Sequence, residues 1–130
     1  LIPSLTAIEN VKFPAELKKD NLAEDKALQL LEKVGMSHRI SNYPSQMSGG
    51  EQQRIAICRA LINDPKIVFA DEPTGNLDSE NSKGIIDLLY NLHQESGTTL
   101  VIATHSRSLA AKAERIIHLS DGRIETGWGT

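Results

Sequence analysis

The 130 residues are 39% hydrophobic and 24% charged with a formal net charge of -3 at pH 7. That is the balance of a globular chain with one core, not of a disordered or fibrous one. Apolar runs such as Ile67 to Ala70 and Leu100 to Ala103 fall far short of the ~20 residues of a membrane-spanning helix, and interspersed charges give no electrostatic footprint for nucleic acid.

The opening Leu1-Ile2-Pro3 reads as the interior of a longer polypeptide, so a fragment is expected. Thr6-Ala7-Ile8-Glu9 has the S/T-x-x-E spacing of a capping box, which predicts a short helix ending before Pro14. From Asn21, the residues Ala27, Leu28, Leu31 and Val34 recur at helical spacing, and Gly35 stands where a left-handed cap would end that amphipathic, surface-packed helix. After a loop through Asn42-Tyr43-Pro44, Ser48-Gly49-Gly50-Glu51 is a second capping box. It opens a largely buried helix running through Ile55 to Ile62. The lone Cys58 falls on it and reads as a buried helix residue, with no disulfide partner and in keeping with a reducing compartment.

Asn63-Asp64-Pro65 breaks the helix, and Ile67 to Ala70 then reads as a strand buried on both faces, ending at Asp71-Glu72. Asp78 can cap the next helix, whose Ile85, Leu88, Leu89 and Leu92 form a core stripe before Gly97. Thr99 to Thr104 is a second buried strand, terminated by His105. A short Ala-rich helix follows, then a hairpin turning at Asp121-Gly122. This order predicts an α/β fold: a helical subdomain over residues 1-62, then a parallel-sheet core with flanking helices and a C-terminal hairpin over 63-130.

Ligands of open parallel sheets bind beyond the carboxyl ends of strands, where Asp71, Glu72 and His105 all fall. An Asp there can hold Mg²⁺ directly or through water, and an adjacent Glu can orient an attacking water in phosphoryl transfer. Ser48-Gly49-Gly50 at a helix start is a candidate phosphate cradle. Taken singly, each is also read as an ordinary strand end or helix cap.

Together, Ser48-Gly49-Gly50-Glu51-Gln52-Gln53-Arg54, Ile67-Val68-Phe69-Ala70-Asp71-Glu72-Pro73-Thr74, Gly75-Asn76-Leu77-Asp78 and Thr104-His105 closely resemble, in order and separation, the motifs of ABC-transporter nucleotide-binding domains. Met47 stands where that family usually has Leu, a change that conserves volume. The resemblance implies that Ser48, Gly49, Gly50 and Glu51 form the signature motif facing a nucleotide. It also implies that Asp71 is the Mg²⁺ ligand, Glu72 the general base, Asp78 the D-loop acid and His105 the contact to the γ-phosphate. The cofactors implied are ATP and Mg²⁺. The partners implied are a transmembrane permease and a second copy in a head-to-tail dimer, with membrane contact only through the permease and a place on the cytoplasmic face. Leu1 to Val11, with Ala70 to Asp78, is similar to the lipoprotein-release and macrolide-export group. A cell-division or regulatory ATPase acting on a membrane partner without transport is the alternative.

None of the nine glycines precedes a Lys, so the phosphate-binding G-x-x-x-x-G-K-[ST] does not occur in these residues, and with it go the amides and Lys that make most phosphate contacts in such enzymes. The resemblance therefore implies that these 130 residues by themselves neither bind ATP tightly nor hydrolyse it. A malachite-green assay on the purified polypeptide is expected to show no phosphate release above the buffer blank, and turnover that co-elutes with the chain would contradict this.

Overall fold

A computed structural model describes residues 1–125. Three helices come first, α1 (Ala7–Leu17), α2 (Ala23–Lys33) and α3 (Gly49–Leu61), with 3-10 turns at Ser37–Arg39 and Pro44–Gln46. Then follow β1 (Ile67–Asp71), α4 (Ser79–Ser96), β2 (Thr99–Ala103), α5 (Arg107–Ala110) and the short strands β3 (Leu119–Ser120) and β4 (Arg123–Ile124).

Both predicted capping boxes form. Thr6 caps α1 and Ser48 caps α3, with Glu9 and Glu51 reaching back to the cap amides at 2.7 and 2.8 Å. Helix α1 does not stop before Pro14 but carries it inside. An interior proline costs about 3 kcal/mol, and tertiary packing offsets it: Val11 and Ala15, on either side, are completely buried, and the Pro14 carbonyl accepts from Asn63 Nδ2 at 3.3 Å. The buried Asn10 is fully satisfied, its amide donating to the carbonyls of Ile2, Leu5 and Thr6 and accepting from Ile2 N. That residue fastens the entering segment onto α1.

Helix α2 buries Ala27 and Leu31, with Val34 buried just past its last turn, but leaves Leu28 half exposed, and Gly35 follows with φ +73° as the sequence predicts. The core has two clusters with α3 between them. Ile55 and Cys58 join α1 and α2 on one side, while Ile57 joins Ile85, Leu89 and Leu92 of α4 on the other. Burial pushes the Cys58 thiol up to about 12, so it stays protonated and inert.

Strands β1 and β2 pair in parallel, from Ile67 with Thr99 to Asp71 with Ala103, and α4 is the crossover. The expectation of burial on both faces is corrected for both strands. Leu100 and Ile102 pack onto the α4 cluster, whereas Ile67, Phe69 and Val101 are 51%, 77% and 46% exposed. A continuous apolar run signals two apolar faces, but among the described residues helices cover only one. The hairpin forms where expected, with Asp121 and Gly122 both at positive φ, as a tight two-residue turn demands.

The Thr6 amide holds the Glu9 carboxyl below its usual range. The Ser48 amide and then Arg39 do so for Glu51, and the Asn81 amide does so for Asp78. A carboxyl lowered by folding adds stability above its unfolded value of about 4 and loses it as pH falls through the folded value. The thermal midpoint followed by circular dichroism is therefore expected to drop on acidification below about pH 4, and to drop less in Glu51→Gln and Asp78→Asn. An identical acid limb in both variants would rule these caps out as its source.

Candidate active site

The parallel register brings the carboxyl ends of β1 and β2 side by side. Beyond the last pair, Asp71 with Ala103, the Glu72 amide still donates to the Ala103 carbonyl at 2.9 Å. The chain then breaks out of the sheet at Glu72 with φ +41°, a left-handed geometry costing a non-glycine residue about 1 kcal/mol or more. This kink turns the Glu72 side chain toward the end of β2.

There the carboxylate meets three donors. Its Oε1 accepts from the His105 amide at 2.9 Å and from His105 Nδ1 at 2.6 Å, and its Oε2 accepts from Thr104 Oγ1 at 3.2 Å. Partial desolvation pushes the Glu72 carboxyl up, but the bonds from His105 and Thr104 outweigh it and the net shift is downward. The group is thus ionised at neutral pH and able to take a proton. An ionised acceptor at 2.6 Å requires His105 Nδ1 to carry hydrogen. The imidazole is otherwise open to solvent, 87% exposed against 36% for the Glu72 side chain.

Asp71 is exposed at the same rim. Mg²⁺ is commonly held by one or two carboxylates plus water and phosphate oxygens rather than by a protein cage. A free-standing carboxylate fits that habit, and no group of three or more His, Cys, Asp or Glu side chains converges among the described residues.

The second group forms at the start of α3. Ser48 Oγ accepts from the Glu51 amide at 3.3 Å. Glu51 is itself held by Arg39 Nε at 2.8 Å, with His38 Nε2 at 3.8 Å. Asp78 caps α4 through Asn81, taking its amide at 2.8 Å and its side-chain nitrogen at 2.7 Å. These two helix starts abut: a Cβ on Gly49 would stand 3.2 Å from Leu77 Cδ2, and one on Gly50 only 2.7 Å from Asn81 Oδ1.

The structure therefore joins Glu72 with His105 and sets the Ser48 to Glu51 turn against the residues around Asp78. The two groups share no hydrogen bond or ion pair among the described residues; the turn at Gly75, whose amide donates to the Glu72 carbonyl at 3.0 Å, runs between them. Sequence reading passed over Thr104, Arg39 and Asn81 as contacts. An Asp-x-x-Asn spacing at Asp78 hinted at the cap pair, but nothing periodic links Arg39 to Glu51.

The sequence model of the family described as ABC transporter matches residues 1–75, more than half of the chain. The chain belongs to the ABC transporter family. The lipoprotein-releasing system ATP-binding protein LolD of Syntrophotalea carbinolica is 51% identical over 126 residues, which is 95% of this chain and 56% of that protein. The uncharacterized ABC transporter ATP-binding protein YbbA of Escherichia coli is 47% identical, over 96% of this chain and 56% of its own length. Among solved structures, the dimeric post-hydrolysis state of the ATP-binding cassette MJ0796, bound to ADP and Pi, superposes with a TM-score of 0.81 at 42% identity, covering 100% of this chain and 60% of that one. The chain thus spans little more than half the length of the relatives it matches.

The 2.7 Å approach at Gly50 means that Asn81 must give way to any side chain placed there. Gly50→Ala is expected to push Asn81 off Asp78 and destabilise the fold by ~1 kcal/mol or more, while Gly50→Ala with Asn81→Ala recovers part of the loss. Urea unfolding of the single and double variants measures this, and a Gly50→Ala midpoint equal to the parent's would refute the close contact.

Proposed function

We propose that the protein containing these residues hydrolyses ATP as the nucleotide-binding subunit of an ABC transporter. The observation that supports this above all is the ionised Glu72 held against His105 at the paired strand ends, in a chain of this family.

In this reading Asp71 would hold Mg²⁺, which would supply charge neutralisation to the phosphates. Glu72 takes the proton of a water as that water's oxygen attacks the γ-phosphorus in line, while the bond from phosphorus to the bridging oxygen of ADP breaks. His105 leaves Nε2 for the γ-phosphate while Nδ1 stays on Glu72.

The Ser48, Gly49, Gly50 and Glu51 turn presents a hydroxyl and free helix-start amides to the nucleotide carried by a second copy, in a head-to-tail dimer. Asp78, at the neighbouring helix start, lies at the same junction and signals across it. Residues 1-62 are read as the helical subdomain and 63-130 as the C-terminal part of the α/β core, 126–130 lying outside the described residues. The coupled partner is a transmembrane permease, with this subunit on the cytoplasmic side and touching the membrane only through it. The likeness to the ATP-binding protein of a lipoprotein-releasing system favours lipoprotein release or export as the work performed.

In the full-length protein, Glu72→Gln keeps the shape of the side chain and removes its basicity. Turnover is expected to fall by about a hundredfold or more, with ATP binding retained and closed dimers accumulating in size-exclusion chromatography with ATP and Mg²⁺. Hydrolysis within about twofold of the parent would show that Glu72 is not the base.

A further inference from the structure

We propose that Thr104 is a positioning residue for Glu72, acting through its side-chain hydroxyl; this rests on the reading of Glu72 as the base. Of the two carboxylate oxygens, Oε1 is held twice, by the His105 amide and ring, whereas among the described residues Oε2 is held only by Thr104 Oγ1 at 3.2 Å. A carboxylate bonded at one oxygen still turns about its terminal torsion, which is broad and soft. A donor on the second oxygen fixes the plane of the group.

The direction of the Thr104 proton follows from its other contact. Thr104 Oγ1 accepts the Ser106 amide at 3.0 Å, which occupies a lone pair, and a hydroxyl has a single hydrogen. An ionised carboxylate only accepts, so that hydrogen points at Glu72. Ser106 is also the residue from which α5 begins. The threonine therefore ties the base both to the end of β2 and to the helix that follows, and it does so with backbone and side-chain bonds that do not involve the imidazole. With the His105 ring shared between Glu72 and a phosphate, the Thr104 hydroxyl and the His105 amide keep the carboxylate in register.

The hydroxyl can be removed without changing shape. In the full-length ATPase, Thr104→Val is expected to lower kcat by about tenfold to a hundredfold, the effect of losing one hydrogen bond to a charged group, with KM for ATP changed by less than about twofold. Thr104→Ser, which keeps the donor and drops the methyl, recovers most of the rate. In a Glu72→Gln background Thr104→Val produces no further loss.

A wild-type kcat in Thr104→Val, or equal impairment of the Val and Ser variants, overturns the proposal, the latter because the methyl rather than the hydroxyl would then matter. Should Thr104→Val not fold, Thr104→Cys, a weak donor of similar size, is read against Thr104→Ser in the same way. Near-normal hydrolysis by Glu72→Gln alone instead removes the base assignment itself, so the two failures are told apart.

Discussion

The parallel pairing of β1 with β2 is the constraint on which the candidate site depends. Because Asp71 pairs with Ala103, the residues immediately beyond each strand, Glu72 on one side and Thr104 and His105 on the other, emerge at one level. Pairing one residue out of step would move every side chain to the opposite face and part the carboxylate from its three donors. The register is held by a crossover helix, α4, whose buried Ile85, Leu89 and Leu92 pack with Leu100 and Ile102 beneath the sheet. An apolar interface thus fixes a polar one.

The same economy governs the other half of the chain. Helix α3 is shared by both core clusters, so its start cannot shift without disturbing α1 and α2 or α4. Its first turn sits against the first turn of α4, where the Asn81 side chain occupies the space that a Cβ on Gly50 would need. Helix starts carry unpaired amides and partial positive charge. At these two starts an acid answers that charge, Glu51 on α3 and Asp78 on α4. Arg39 in turn offsets the Glu51 charge.

Much of this was legible in the sequence because its causes are local. The capping boxes at Thr6 and Ser48, the left-handed stop at Gly35, the helix end at Gly97 and the Asp121-Gly122 turn all follow from short-range sterics and hydrogen bonding, and all form. The motif order was legible too, and the family match bears out the resemblance it carried. Two local rules failed where packing overrode them. Pro14 sits inside α1 because Val11 and Ala15 bury their side chains around it. The strands expected to be covered twice are covered once, since periodicity reports what a face would tolerate and not what lies against it.

From the sequence alone came the elements, their order, the family resemblance and the residue types that could act on a phosphate, because each depends on neighbours a few positions apart. Only the tertiary structure decided that Glu72 bonds to both Thr104 and His105, that Arg39 restrains Glu51, and that Gly50 meets Asn81. Those contacts join residues 12 to 33 positions apart, or side chains on separate helices, and no local signal encodes them. They arise when the strand register and the packing of α3 against α4 are fixed together by burial of apolar surface, which is non-directional and therefore leaves the final geometry to the fit of the whole.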